Sequence, residues 1–179
     1  MSQRLSLNIR RANAEDFAYL PGIERSAAQL FHQVGLSLLA DSPIMSLEDF
    51  KHVSVDGLLF VAVNNLDVPI GFAAVEALAG TAYLAELSVS SNWQRRGVGT
   101  TLLAAVLHNA RALGATQTTL TTFEDFPWNA PFYLKSGFQR YQFAQPPTQL
   151  CRALAEKLTV FEDLPARVAM SSPLRQPEP

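Results

Sequence analysis

The chain has 179 residues, 48% of them hydrophobic and 17% charged, with a formal net charge of -2; that length and apolar content suit one well-buried domain and are short for two. Positive charge is concentrated at Arg95 and Arg96, with no basic stripe interleaved with aromatics, which argues against a nucleic-acid surface. Cys151 is the single cysteine, so an internal disulfide is excluded and a reducing compartment is expected; Ser2 to Arg11 lacks an apolar signal region and no apolar run reaches the roughly 18 residues of a membrane span, making a cytoplasmic protein the expectation.

In chain order, Leu7 to Arg11 alternates like an edge strand. Asn13 followed by Asp16 opens a helix expected to pass Ile23 and reach about Gln33, with Pro21 as a kink or break. Ser46 with Asp49 three residues later caps a second short helix. Leu58 to Val63 and Ile70 to Ala77 read as strands joined by the turn Asn64-Asn65-Leu66-Asp67, and Ala82 to Ser90 as the next strand. Val98, Leu102, Leu103, Val106, Ala110 and Leu113 recur at helical spacing, and Gly114 ends that helix. Ala115 to Phe123 is a Thr-rich strand. A strand from Phe138 to about Phe143, a Pro146-Pro147 break, a helix from about Thr148 to Leu158 and a last strand from Arg167 to Ser171 complete the pattern. Residues 1–171 are expected to form one domain and the proline-rich residues 172–179 a loose tail. Hairpins at the front followed by strand and helix alternation imply a mixed sheet with helices on both faces, not an all-parallel doubly wound one.

The segment Leu87 to Gly99 (Leu-Ser-Val-Ser-Ser-Asn-Trp-Gln-Arg-Arg-Gly-Val-Gly) runs from a strand into a basic, glycine-punctuated turn at the start of a helix. Glycines let backbone approach a ligand closely, and the first amides of a helix point at whatever anion sits there. The chain has no Gly-x-x-x-x-Gly-Lys-Ser/Thr loop. Leu102 stands where a dinucleotide fingerprint needs its third glycine, which leaves the pattern Gln94-x-x-Gly97-x-Gly99.

With that pattern, and with Asn129-Ala-Pro-Phe-Tyr133-Leu-Lys-Ser-Gly137-Phe138 about thirty residues on, the chain resembles the GNAT superfamily of acetyl-CoA-dependent N-acetyltransferases. The resemblance covers about Leu7 to Met170, and the segments that would bind the acceptor match no recognisable code. It implies a mixed, mostly antiparallel central sheet of about seven strands with helices on both faces. It also implies acetyl-CoA as the acetyl donor, and a direct attack by a primary amine in a ternary complex.

Acetyl transfer to an amine needs a neutral nucleophilic nitrogen, a polarised carbonyl and a stabilised leaving thiolate. The resemblance implies that the Tyr133 hydroxyl serves the thiolate; a phenol of pKa about 10 is protonated at neutral pH and can donate to it. The other reading of Tyr133 is an amphipathic core residue. Glu86 is an ionisable group in an apolar strand, where burial would raise its pKa into the range of a general base, unless it pairs with an arginine as structure. Glu124 and Asp125 are reserve bases or simply a solvated loop face. The resemblance also implies that backbone of the strand bearing Leu87 and Val89 polarises the carbonyl and pairs with the pantetheine arm. Gln94, Arg95, Arg96, Gly97, Val98, Gly99 and Thr100 would hold the pyrophosphate, Gln94 closing the loop by a side-chain hydrogen bond.

Asn129 either contacts the coenzyme or caps the helix that contains Pro131. Phe126 and Trp128 line the acceptor pocket or anchor their loop, and His32 and Asp41 line it or face water. Cys151 is a nucleophile or, lacking an identifiable histidine base, a buried helix cysteine. His32, His52 and His108 have no metal-ligand spacing, so no metal is expected. A small-molecule or protein amine is the expected partner, without nucleic acid or membrane, and a homodimer paired across a sheet edge is open to such a fold. The alternative function is a non-catalytic acyl-CoA-binding sensor or assembly module, which would need neither Tyr133 nor Glu86.

Overall fold

The computed structural model describes residues 7–159 and 165–174. Its seven strands are β1 (Asn8–Arg11), β2 (Leu58–Val63), β3 (Pro69–Leu78), β4 (Thr81–Val89), β5 (Gln117–Phe123), β6 (Gln139–Arg140) and β7 (Arg167–Pro173). They form one open sheet in the order β1-β2-β3-β4-β5-β7-β6. The β1–β2, β2–β3, β5–β7 and β6–β7 pairs are antiparallel. The β4–β5 pair is parallel, with Ala82 opposite Thr118 and Tyr83 opposite Thr119. This is the mixed sheet expected from the hairpin-first pattern, and mostly antiparallel as the resemblance implies. The helices are α1 (Leu20–His32), α2 (Ser37–Ala40), α3 (Leu47–Asp56), α4 (Val98–Asn109), α5 (Ala130–Lys135) and α6 (Gln149–Thr159). None of the described helices is long and apolar enough to cross a membrane.

The chain divides into two compact units, residues up to Val75 with Glu86–Asn109, and Glu76–Ala85 with residues from Ala110 onward. In the first, every residue of β2 is buried. Leu59, Val61 and Val63 face a cluster with Phe17, Leu20, Ile23, Phe50, Val53, Phe72 and Ala74, where Phe50 meets Phe72 edge-on at 5.2 Å. The alternate residues Leu58, Phe60 and Ala62 are buried as well, and α3 and α4 both pack on β2. Strands covered on both faces lose the apolar-polar alternation. In the second unit, Leu154 of α6 packs on Tyr83 and Ala169, with Leu78, Ala85, Tyr141, Leu150 and Leu158 around them.

Several boundaries differ from the sequence expectation, each for a local reason. Asn13 accepts from the amides of Glu15 and Asp16, but the turn it opens is a short 3-10 segment, Asp16–Ala18. Pro21 falls in the first turn of α1, where a missing N–H costs nothing, so the helix begins there instead of kinking. The expected α4 helix ends early, at Asn109, tightening into a 3-10 turn (Ala110–Leu113) before Gly114 at φ 67°. The strand expected over Phe138–Phe143 shrinks to β6, because after Tyr141 donates to Ala169 O at 2.8 Å the chain leaves the ladder towards Pro146-Pro147. β7 runs to Pro173, two residues past the expected end, and residues 175–179 of the expected tail lie outside the described residues. Ser46 caps α3 as expected: its Oγ accepts from Asp49 N at 3.1 Å, and the Asp49 carboxylate accepts from Ser46 N at 2.7 Å.

One ion pair closes the start of the first unit. Arg10 of β1 donates to both oxygens of Asp16, at 2.7 and 3.0 Å, and also to Asp67 in the β2–β3 turn at 3.1 and 3.2 Å. Burial by itself would raise the Asp16 carboxyl. The Arg10 hydrogen bonds and the Asn13 amide outweigh it and hold the carboxyl below its ordinary 3.8. A depressed carboxylate contributes stability that is present above the unfolded-state pKa and is lost as pH falls through the lower folded one. Urea unfolding is therefore expected to show this contribution intact at pH 5–7 and lost on acidification below about pH 4. Asp16→Asn should lose about 2 kcal/mol at neutral pH and should show less acid sensitivity than the parent.

Candidate active site

The first unit carries the glycine-punctuated turn that the sequence marks as a candidate anion site. β3 approaches β4 closely at Gly71, where an added Cβ would lie 3.0 Å from Ser88 O, 3.2 Å from Leu102 Cδ1 and 3.3 Å from Val89 Cγ2. Any larger residue would push β4 and α4 off β3. Ser90 N then donates to Ile70 O at 2.9 Å, and a 3-10 turn (Ser91–Trp93) follows. The expected closure is present: Gln94 Nε2 donates to Val89 O at 3.0 Å. Arg95 (φ 58°) and Gly97 (φ 83°) both adopt left-handed backbone, whereas Gly99 lies within the first turn of α4. The sequence marks the two glycines as the special positions, but the second left-handed residue is Arg95.

Thr101 N donates to Gly97 O at 3.0 Å, the first bond of the helix, so the amides ahead of it have no partner within α4. Arg95 and Arg96 are exposed beside that end, and the Arg96 guanidinium lies over the Trp93 ring at 5.3 Å. Side-chain cations and helix-start amides together make a cradle suited to phosphate. Ser26 of α1 ties that helix to the loop. Its Oγ donates to Ser91 Oγ at 3.0 Å and accepts from Ser91 N at 3.0 Å.

Glu86 lies half-buried on β4, three residues before Val89. Burial pushes its carboxyl up, while the hydrogen bonds from Ser88 Oγ (2.6 Å) and the Leu87 amide pull weakly the other way. No arginine or lysine forms a salt bridge with it among the described residues. A second carboxylate in the first unit, absent from the sequence-based candidates, is also raised. Glu24 of α1 is pushed up to about 7, first by burial and then by repulsion from Glu86. Its Oε2 accepts from Met45 N at 3.1 Å. Its place one helical turn after Leu20 and beside Ile23 puts it on the flank of the apolar stripe, which by itself does not distinguish it from a solvated helix carboxylate.

His32 and Asp41 pair with each other at 3.6 Å, and His32 Nδ1 lies 3.1 Å from Ser37 Oγ. They tie the end of α1 to the α2 region.

In the second unit, Tyr133 of α5 is 8% exposed, its ring edge-on to Phe132 at 5.1 Å and to Phe138 at 5.6 Å. Asn129 does not cap α5. Its backbone (φ -109°, ψ -120°) departs from the extended cap conformation, and Nδ2 donates instead to Thr122 Oγ1 of β5 at 2.8 Å. Phe126 stacks on Trp128 at 5.5 Å and meets Phe123 edge-on at 5.7 Å. Glu124 is in an ion pair with Arg140 at 2.6 Å, and Asp125 is exposed.

Cys151 is 2% exposed on α6. Thr148 Oγ1 donates to its sulfur at 3.2 Å, which draws the thiol down to about 7. Burial and the lack of a histidine in contact fit a structural cysteine. No group of three or more His, Cys, Asp or Glu capable of holding a metal exists among the described residues.

Solved structures share this fold at low sequence identity. The PaiA N-acetyltransferase of Thermoplasma acidophilum in complex with coenzyme A superposes with a TM-score of 0.67 and 18% identity, over 94% of this chain and 99% of that one. The ribosomal-protein-S18-alanine N-acetyltransferase of Escherichia coli gives 0.66 and 16%, over 96% of each chain. N-acetylglutamate synthase of Neisseria gonorrhoeae, complexed with coenzyme A and N-acetyl-glutamate, gives 0.66 and 18%, over 95% of this chain and 35% of that one. The family model described as Acetyltransferase (GNAT) family matches residues 28–138. With that match over more than half of its length, the chain belongs to the GNAT acetyltransferase family.

Proposed function

We propose that this protein transfers an acetyl group from acetyl-CoA to a primary amine. The observation that carries the reading is the turn from Gln94 to Gly97, closed on Val89 and opening α4 with unfilled amides beside two arginines. It supports a diphosphate held by the backbone of residues 95–100, with Gln94, Arg95, Arg96, Gly97, Val98, Gly99 and Thr100 as its contacts. Backbone of Leu87 and Val89 would pair with the pantetheine arm, and Asn129 is a further coenzyme contact.

The chemistry follows from what each group can do at neutral pH. The amine nitrogen attacks the thioester carbon, the C–S bond breaks, and the nitrogen's proton passes to Glu86 directly or through water. Elevation of the Glu86 carboxyl by burial supports that role, because a carboxylate of ordinary acidity is a poor acceptor for an ammonium proton. Tyr133 returns a proton to the departing thiolate, a role supported by its place in the second signature and by the ring packing that fixes its orientation.

The decisive experiment is titration calorimetry with coenzyme A together with thiol release from acetyl-CoA over a panel of amines. Binding with amine-dependent thiol release is expected. Coenzyme binding without release under any amine would leave a non-catalytic acyl-CoA module, and no binding at all would remove the donor.

Tyr133→Phe is expected to lower kcat by about 100-fold with coenzyme affinity unchanged by calorimetry; equal turnover would discard the proton-donor role. Glu86→Gln should lower kcat by a similar order and abolish the acidic limb of the rate profile. That limb reflects a raised carboxyl, so activity in the parent is expected to be lost as pH falls through a value above the ordinary carboxylate range.

A further inference from the structure

We propose that Trp93 is a positioning residue for coenzyme binding: the face of its indole holds the Arg96 guanidinium beside the opening amides of α4, so that the guanidinium edge meets the diphosphate already oriented. This rests on the reading of residues 95–100 as the diphosphate site and adds to it a residue that acts through Arg96.

All of the parts lie within the first unit. Trp93 ends the 3-10 turn Ser91–Trp93, where its amide donates to Ser90 O at 2.8 Å. The start of that turn is fastened from two sides. Ser90 N donates to Ile70 O at 2.9 Å, and Ser26 Oγ of α1 accepts from Ser91 N and donates to Ser91 Oγ, both at 3.0 Å. Gln94 then leaves in an extended conformation (φ -65°, ψ 157°), closed on Val89 O, and Arg95 turns left-handed at φ 58°. Those two residues redirect the chain, and the Arg96 guanidinium, three positions after the indole, lies over it with its central carbon 5.3 Å from the ring centroid.

Trp93 is half-buried, whereas Arg96 is exposed. An exposed arginine samples many rotamers, and ordering it on a ligand costs binding free energy. Stacking on the indole supplies part of that order before the ligand arrives, and it uses only the face of the guanidinium. The in-plane N–H fork stays open for two phosphate oxygens. No carboxylate forms a salt bridge with Arg96 among the described residues, so its charge is available to an anion. Arg95 provides the contrast. It is also exposed but lies over no aromatic ring among the described residues, so it brings charge without orientation.

The test is titration calorimetry with coenzyme A on the parent, Trp93→Leu, Trp93→Phe, Arg96→Gln and the double variant, with thermal melting to confirm that each folds and Trp93→Met as a second ring-free variant. Arg96→Gln is expected to weaken binding about tenfold and Trp93→Leu about threefold, while Trp93→Phe, which keeps a ring face, should retain most of the parent affinity. In the Arg96→Gln background, Trp93→Leu should weaken binding no further. NMR of the coenzyme-free parent reads the contact itself: the Arg96 Nε–H proton, assigned by its loss in Arg96→Gln, should be displaced upfield by the indole ring current, and the displacement should vanish in Trp93→Leu.

Equal affinity of the parent and Trp93→Leu for coenzyme A would overturn the proposal, as would an Arg96 proton with no upfield displacement in the parent. A threefold loss that persists in the Arg96→Gln background would also overturn it, because Trp93 would then support the turn without acting through Arg96. A parent that does not bind coenzyme A removes the diphosphate reading and this proposal with it; a parent that binds, with an affinity indifferent to the ring, sinks only the role of Trp93.

Discussion

The turn between β4 and α4 depends on two closely spaced demands on its backbone, left-handed conformations at Arg95 and at Gly97. Glycine meets the second at no steric cost, but at Arg95 the side chain works against it by about 1 kcal/mol. That unfavourable conformation is held by neighbours on both sides: the Gln94 amide bonded to Val89 O and the first α4 hydrogen bond from Thr101 to Gly97 O. The result is a helix whose opening amides face outward with two arginines beside them. Close packing at Gly71 sets β4 and α4 against β3, so the end of β4 and the start of the helix are fixed relative to each other.

Two carboxylate environments in the same unit show opposite physics. Asp16 is buried, yet a bidentate arginine and a backbone amide keep it ionised, and it contributes to stability. Glu24 and Glu86 are half-buried with neutral hydrogen-bond donors, Met45 N and Ser88 Oγ, and burial is the first cause that raises each carboxyl. Arg25 is next to Glu24 in sequence but bonds two carbonyls instead.

Cys151 carries a low thiol pKa without the exposure that reactivity needs. Thr148 stabilises the thiolate form at the start of α6, but Cys151 is 2% exposed, which limits access to the sulfur. The aromatic stack of Phe126 on Trp128 likewise has a structural account, because it orders a proline-containing loop through ring contacts with Phe123.

Much of the architecture was legible from local rules. The strands β2 to β5, the amphipathic α4, the capping box at Ser46 and the phosphate-type turn all follow from periodicity, glycine placement and short-range hydrogen bonding, which neighbouring residues decide among themselves. The resemblance carried by Gln94, Gly97, Gly99 and the Tyr133 segment likewise identified the family. Boundaries failed where a distant strand was needed: β6 is two residues long because its length depends on β7, thirty residues away, and α1 starts late because Pro21 fits only its first turn. Glu24 was missed for the same reason. Its character is set first by burial, then by a carboxylate sixty-two positions along the chain and an amide before α3, and desolvation of a charge is a property of the surrounding packed volume, which only the tertiary structure defines.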